Sequence, residues 1–126
     1  MTEDERHEKG MKIRRQVLGN DYVDAAVARQ NDFSRDFQDY VTRGVWGSIW
    51  TRPGLDLKTR SCMVLTAMMA LGHWNEFRLH VRAAFNNGLT KDDIKEVILQ
   101  TTAYCGAPTG NHAMQEAQAV FEQEKL

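Results

Sequence analysis

The sequence predicts an all-α protein, and three observations support that prediction. Apolar residues recur every three or four positions along most of the 126-residue chain, which is the period of an amphipathic helix. The chain contains only 2 prolines, so long uninterrupted helices are possible. No alternating apolar and polar stretch reaches the length of a useful strand.

Start and stop signals divide the chain into six or seven helices. Gly19-Asn20 and Thr51-Arg52-Pro53-Gly54 are typical helix ends, and Asn86-Asn87-Gly88 resembles a C-cap. Thr90, followed three positions later by Asp93, predicts a capping box. Asp56 is expected to be the N-cap of the fourth helix, which runs from there to about Leu71. The other expected helices span Glu3 to Leu18, Asp21 to Arg29, Phe33 to Trp50, Trp74 to Asn86, Asp92 to Tyr104 and Thr109 to Glu122.

The centre of the fourth expected helix, from Met63 to Leu71, is apolar nearly all round. Such a segment is expected to be buried on every side. Because the chain is small, we expect part of this surface to meet a neighbouring subunit in a homo-oligomer. Trp46, Trp50 and Trp74 are expected in the core or at subunit contacts.

Composition excludes several classes of partner. The chain has 16 Lys and Arg against 17 Asp and Glu, a net charge of -1, so neither a nucleic-acid nor an anionic-membrane footprint is expected. With 42% apolar and 26% charged residues, the composition is that of a globular protein. No apolar stretch reaches the length of a bilayer span, and the acidic start does not resemble a signal peptide. We expect one domain over residues 1–126, located in the cytoplasm.

The two cysteines, Cys62 and Cys105, are too few for a disulfide scaffold and too far apart for a CxxC redox pair. We expect them to be small buried apolar residues rather than catalytic or bridging thiols.

The fifth expected helix carries the strongest candidate for chemistry. At 100° per residue, His73, Glu76 and His80 share one face, and Glu76 lies one turn before His80. A carboxylate beside an imidazole raises the imidazole pKa and orients the ring, which suits a general acid. The alternative is a solvated polar face. The spacing is not HExxH and no second cluster completes a ligand set, so no metal is expected.

Arginines are the candidates for binding an anionic substrate. Arg52 lies in a rigid corner between two helices, and its guanidinium suits bidentate carboxylate binding. Arg60, Arg78 and Arg82 are further candidates, although most of them are expected to face solvent or to pair with local acids. Tyr104 lies at a helix end, where its hydroxyl could line a pocket or the segment could be a simple C-cap and turn.

Nearly the whole chain resembles the carboxymuconolactone decarboxylase family, through short motifs that occur in the same order. They are Gly10-Met11-Lys12, Arg14-Arg15-Gln16-Val17-Leu18-Gly19, Arg52-Pro53-Gly54-Leu55, Thr59-Arg60-Ser61, Ala70-Leu71-Gly72, Glu76-Phe77-Arg78-Leu79-His80-Val81-Arg82-Ala83-Ala84, Asn86-Asn87-Gly88-Leu89-Thr90, Ile94-Lys95-Glu96-Val97 and Tyr104-Cys105-Gly106-Ala107-Pro108. The resemblance implies a compact helical subunit of the alkylhydroperoxidase-like type that assembles into trimers or hexamers.

The resemblance also implies cofactor-independent decarboxylation of 4-carboxymuconolactone to 3-oxoadipate enol-lactone, in the protocatechuate branch of the β-ketoadipate pathway. His80 is then the expected general acid, oriented and kept protonated by Glu76. Arg52 is the first choice for the substrate carboxylates, with Arg60 or Arg78 as second choices. His80 or Tyr104 would donate to the lactone oxygen. We add His73 to the substrate-binding candidates because it shares the helix face of His80.

Two alternatives on the same scaffold stay open: a peroxide or thiol oxidoreductase and a non-catalytic relative. Peroxidases of this superfamily carry CxxC followed after three residues by His. Aligning that His with His80 places Glu76 and His73 where the two cysteines would be. Thiol-based peroxide reduction is therefore disfavoured, because no thiolate pair is present at those positions.

Overall fold

A computed structural model describes all 126 residues and contains seven α-helices, one π-helix and no strand. The all-α prediction is confirmed. The chain forms two compact units, Met1–Asp56 (unit 1) and Leu57–Leu126 (unit 2). The assignment of residues 1–126 to one domain stays a prediction. None of the helices combines the length and the apolar character that crossing a bilayer requires.

Unit 1 contains α1 (Glu3–Leu18), α2 (Asn20–Ala28) and α3 (Arg35–Val41), and α3 continues directly into a π-helix, Thr42–Trp50. A single amphipathic α-helix was expected here, and that expectation is wrong for its second half. Apolar spacing of three to four residues does not separate an α-helix from the wider turn of a π-helix. Within the π-helix, the Ser48 hydroxyl donates to the carbonyl of Arg43, five residues earlier, at 3.0 Å.

The π-helix packs closely against α1 through glycine. A Cβ atom on Gly10 would lie 2.0 Å from the backbone oxygen of Thr42, so only glycine fits there. Trp46 and Trp50 are buried, and their rings stack with centroids 5.0 Å apart. The prediction that these two tryptophans belong to the core is confirmed.

Unit 2 contains α4 (Leu57–Leu71), α5 (Trp74–Asn86), α6 (Lys91–Cys105) and α7 (Ala107–Gln123). All four helices contribute to one core cluster, which includes Leu65, Phe77, Ile98 and Ala117. The predicted capping box at the start of α6 is confirmed. The Thr90 side chain accepts from the Asp93 backbone at 3.1 Å, and the Asp93 carboxylate accepts from the Thr90 backbone at 2.9 Å.

The apolar centre of α4 is buried on one side only, so the expectation of burial on every side is wrong for the subunit. Leu65 and Met69 lie in the core, whereas Met63 is 58% exposed and Leu71 is 66% exposed. The exposed side of α4 forms one wall of a groove of about 610 Å³, and α6 forms the other. In a four-helix unit the neighbouring helices cover only part of the surface of each helix. The spacing of apolar residues does not show which part is covered when a helix is apolar nearly all round.

The cysteines differ from each other. Cys62 is partly buried on α4, whereas Cys105 is exposed at the last residue of α6, and neither forms a disulfide. The expectation of burial is wrong for Cys105, because α6 ends at the surface, where Gly106 adopts φ 99°.

Candidate active site

His80 lies on α5 beside the face that the helix turns toward the core. That face is formed by Phe77, Val81 and Ala84, each 0% exposed. His80 is displaced to one side of it and is partly buried. Its Nδ1 atom is inaccessible to solvent and has no hydrogen-bond partner in the chain. A buried ring nitrogen without a partner is unusual, and such an atom in a helical scaffold marks a candidate ligand contact.

Burial dominates the electrostatics of this imidazole. Loss of hydration lowers the pKa of His80 from 6.5 to about 4, and the charge of Glu76 opposes that shift without overcoming it. Glu76 is exposed in the first turn of α5, and it acts on the ring through its charge rather than through a hydrogen bond to Nδ1. The expectation that Glu76 keeps His80 protonated is therefore wrong for the subunit by itself. The neutral ring offers one N–H donor and one acceptor lone pair.

Three of the other predicted site residues are exposed in the subunit, and Arg60 is partly buried. His73 is exposed at the N-cap of α5, where its carbonyl accepts from the backbone of Phe77 at 2.9 Å. Tyr104 is 85% exposed near the end of α6. Arg60 is partly buried on α4, and its Nε atom is inaccessible to solvent. Arg52 belongs to unit 1, where it is exposed directly after the π-helix.

Arg78 belongs to a polar network that links α5 to α7. Its guanidinium forms an ion pair with Glu116 and a hydrogen bond with Asn75. Glu116 also contacts His112 at 3.2 Å, and the His112 ring stacks on Trp74 with centroids 4.0 Å apart. The hydrogen bonds from Arg78 and, more weakly, from His112 lower the pKa of the Glu116 carboxyl. Glu116, the partner of Arg78 on α7, is distant in sequence, so spacing within α5 does not reveal it.

Sequence reasoning also missed a buried polar pair between α4 and the end of α5. The Asn87 carboxamide donates to the Ser61 hydroxyl at 2.7 Å, and both side chains are buried. Asn87 Oδ1 is buried without a partner. Asn87 follows His80 by seven residues, which is two helical turns, so the two share one face. The Asn86-Asn87-Gly88 sequence was assigned only to helix termination and gave no signal of this pair.

No three side chains of the types His, Cys, Asp and Glu come together in an arrangement that could hold a metal ion. The predicted site residues can supply proton transfer, hydrogen bonding and anion binding. The imidazole of His80 provides the first two, and the guanidinium groups provide the third.

Comparison with known proteins places the chain in a family. Residues 35–119 match the model of the carboxymuconolactone decarboxylase family. The chain is 43% identical over 122 residues to the 4-carboxymuconolactone decarboxylase of Acinetobacter baylyi, covering 97% of this chain and 91% of that protein. It is 41% identical over 117 residues to the nitrosuccinic acid decarboxylase of Metarhizium robertsii, covering 90% and 82%. It is also 43% identical over 47 residues to the 4-carboxymuconolactone decarboxylase of Pseudomonas putida, covering 37% and 98%. The chain therefore belongs to the carboxymuconolactone decarboxylase family.

Proposed function

We propose that this chain decarboxylates 4-carboxymuconolactone to 3-oxoadipate enol-lactone and that His80 delivers the proton. The observation that supports this proposal best is the partly buried imidazole whose Nδ1 lacks a partner within the chain. Two relatives bear the name of this activity, and a third is also named as a decarboxylase. The pathway context, breakdown of aromatic acids in the cytoplasm, belongs to the same proposal.

The substrate supplies its own electron sink. The departing carboxylate is attached to a ring carbon that is conjugated, through the ring double bond, to the lactone carbonyl. When the carbon–carboxylate bond breaks, its electron pair moves into that carbonyl and forms a dienolate, while CO2 leaves. A proton then adds to the ring carbon beside the carbonyl and gives the enol-lactone. The reaction therefore needs charge stabilisation and one proton, and it draws on no external electron sink.

The low pKa of His80 changes how the proton is delivered. In the empty subunit the ring is neutral near pH 7, because burial lowers its pKa to about 4. A dianionic substrate adds negative charge beside the ring and reinforces Glu76, and both effects raise the pKa. We therefore infer that substrate binding allows His80 to take up the proton that it later gives to carbon. Glu76 and the substrate therefore raise the pKa of His80 together, whereas the sequence indicates that Glu76 alone keeps the ring protonated.

The carboxylates of the substrate need cationic partners, and the candidate arginines differ in burial. Arg60 is partly buried in unit 2, and Arg52 is exposed in unit 1. We propose both as carboxylate ligands, each to be tested by its own variant. The guanidinium of Arg78 already contacts Glu116 and Asn75, so substrate binding there requires exchange of those contacts. A role in holding α5 against α7 suits Arg78 better.

We also propose a homo-oligomer, a trimer or a hexamer. Met63 and Leu71 of α4 and Leu99 of α6 are each more than half exposed, and association would remove this apolar surface from water. His73 and Tyr104 are exposed in the subunit, so their proposed contacts with substrate require a second subunit to cover them.

Incubation of the purified protein with 4-carboxymuconolactone tests the function directly. We expect CO2 release and formation of the enol-lactone, which NMR of the product identifies. Nitrosuccinic acid, offered in parallel, tests the substrate of the second relative, and hydrogen peroxide with a dithiol tests the oxidoreductase alternative. Absence of CO2 release from the lactone, together with turnover of either other substrate, would reassign the chain.

A further inference from the structure

Arg14 is a buried arginine, and two of its guanidinium nitrogens have no hydrogen-bond acceptor in the protein. It lies on α1 in unit 1 and is only 6% exposed. Its Nε and Nη1 atoms are inaccessible to solvent and have no hydrogen-bond partner. These two atoms carry three of the five N–H groups of a guanidinium. Most of the hydrogen-bonding capacity of the group is therefore unused within the chain.

The surroundings of Arg14 do not neutralise it. Burial lowers its pKa, which is the direction expected of a cation without an adjacent carboxylate. Arg15, the next residue, is different, because it forms an ion pair with Asp24 at 2.7 Å. A buried guanidinium without an anionic partner strongly destabilises a fold unless something else supplies the missing acceptor.

A cavity of about 220 Å³ adjoins Arg14 and is lined by polar side chains of unit 1. The lining includes a second guanidinium, a phenol, a hydroxyl and two carboxamides, and it contains no carboxylate. The residues are Arg14, Tyr22, Ala26, Arg29, Gln30, Ser34 and Gln38. The cavity thus combines positive charge with neutral hydrogen-bonding groups, which is the composition expected of an anion site.

We propose that this cavity binds a small organic carboxylate, which Arg14 holds at the buried end and Arg29 attracts at the exposed end. The volume is about seven times the ~30 Å³ that one water occupies in the liquid, enough for an anion of roughly four to eight non-hydrogen atoms. A carboxylate can accept hydrogen bonds from Nε and Nη1 of Arg14, the one arginine of the cavity whose side chain is buried. This site goes beyond the proposed decarboxylation, since none of its residues was assigned to that reaction.

Thermal unfolding of the full chain with malonate as the probe tests the site. Sodium chloride matches the ionic strength, and malonamide serves as the uncharged control. At about ten times its dissociation constant, malonate should raise the Tm of the wild type by roughly 3–6 °C. Arg14→Met should abolish that rise and weaken malonate binding at least ten-fold by calorimetry. Arg15→Met, the matched control on the same helix, should retain both.

A second comparison separates a binding role from a structural one. In malonate-free buffer, Arg14→Met should unfold at a temperature no lower than the wild type, because the change removes a buried charge without adding a cavity. A variant that is several degrees less stable there would mean that Arg14 already has an acceptor in the protein or its assembly. No malonate response in the wild type, or the same response in Arg14→Met, would also overturn the proposal. A larger response to inorganic phosphate would contradict the assignment to carboxylates.

Discussion

The burial of His80 predicts an acid-sensitive contribution to stability that removal of the ring should eliminate. The folded chain lowers the pKa of His80 from 6.5 to about 4, whereas the unfolded chain retains the ordinary value. Between these two values the unfolded state binds a proton that the folded state excludes. Stability is therefore retained in full above pH 6.5 and falls as the pH is lowered toward 4.

The size of this effect follows from the shift. Integrated over the two protonation equilibria, the loss is about 2 kcal/mol between pH 7 and pH 5 and about 3 kcal/mol by pH 4. Hydrogen bonds in the folded state also lower the pKa values of Asp93 and Glu116, so these two carboxyls likewise make stability fall as the pH is lowered. The difference between the wild type and His80→Gln isolates the contribution of His80.

The assay is urea unfolding at pH 7, 6 and 5, followed by circular dichroism. The wild type should lose about 2 kcal/mol more than His80→Gln over this range, and His73→Gln, which removes an exposed imidazole, should follow the wild type. NMR of the ring protons should place the His80 midpoint near 4. Equal pH dependence of stability for the wild type and His80→Gln would show that burial does not disfavour the charged ring.

Three further predictions concern binding and packing. Arg52→Ala should chiefly raise the KM for the lactone, because it removes carboxylate binding in the ground state, and an unchanged KM and kcat would exclude Arg52 as a ligand. Gly10→Ala should destabilise the chain by at least about 3 kcal/mol in urea unfolding, because its Cβ would lie 2.0 Å from a backbone oxygen. Gly54→Ala, whose Cβ would meet nothing within 4 Å, is the matched control and should change stability by less than about 1 kcal/mol. Thr90→Ala should lower stability by about 1 kcal/mol through loss of the capping box with Asp93, and Thr90→Ser should restore most of it.

Local signals predicted the helix boundaries well. The expected and observed bounds agree for α1, Glu3–Leu18, and for α5, Trp74–Asn86. In both cases a residue suited to ending a helix follows directly, and Gly19 adopts φ 93°. The π-helix was not predicted, because apolar spacing alone does not distinguish it from an α-helix. Its close packing against Gly10 of α1 also involves residues more than thirty positions away in sequence, which local signals do not reveal.

The residues of the candidate site stay a prediction, whereas the electrostatics of His80 differ from what the sequence indicates. The i,i+4 spacing placed the charge of Glu76 beside His80, and that charge does raise the imidazole pKa. The net shift has the opposite sign, because it depends on how deeply the packed helices bury the ring. Burial also explains why the sequence did not single out Arg14, since an arginine in a charged helix gives no sign that it will be removed from water.

Turnover of 4-carboxymuconolactone by His80→Ala tests most directly whether His80 supplies the proton for decarboxylation. We expect a kcat lower by about two to four orders of magnitude, with an unchanged helical circular dichroism spectrum. His7→Gln, which removes an imidazole from α1, should keep the wild-type rate. Wild-type turnover by a folded His80→Ala protein would exclude His80 as the proton donor.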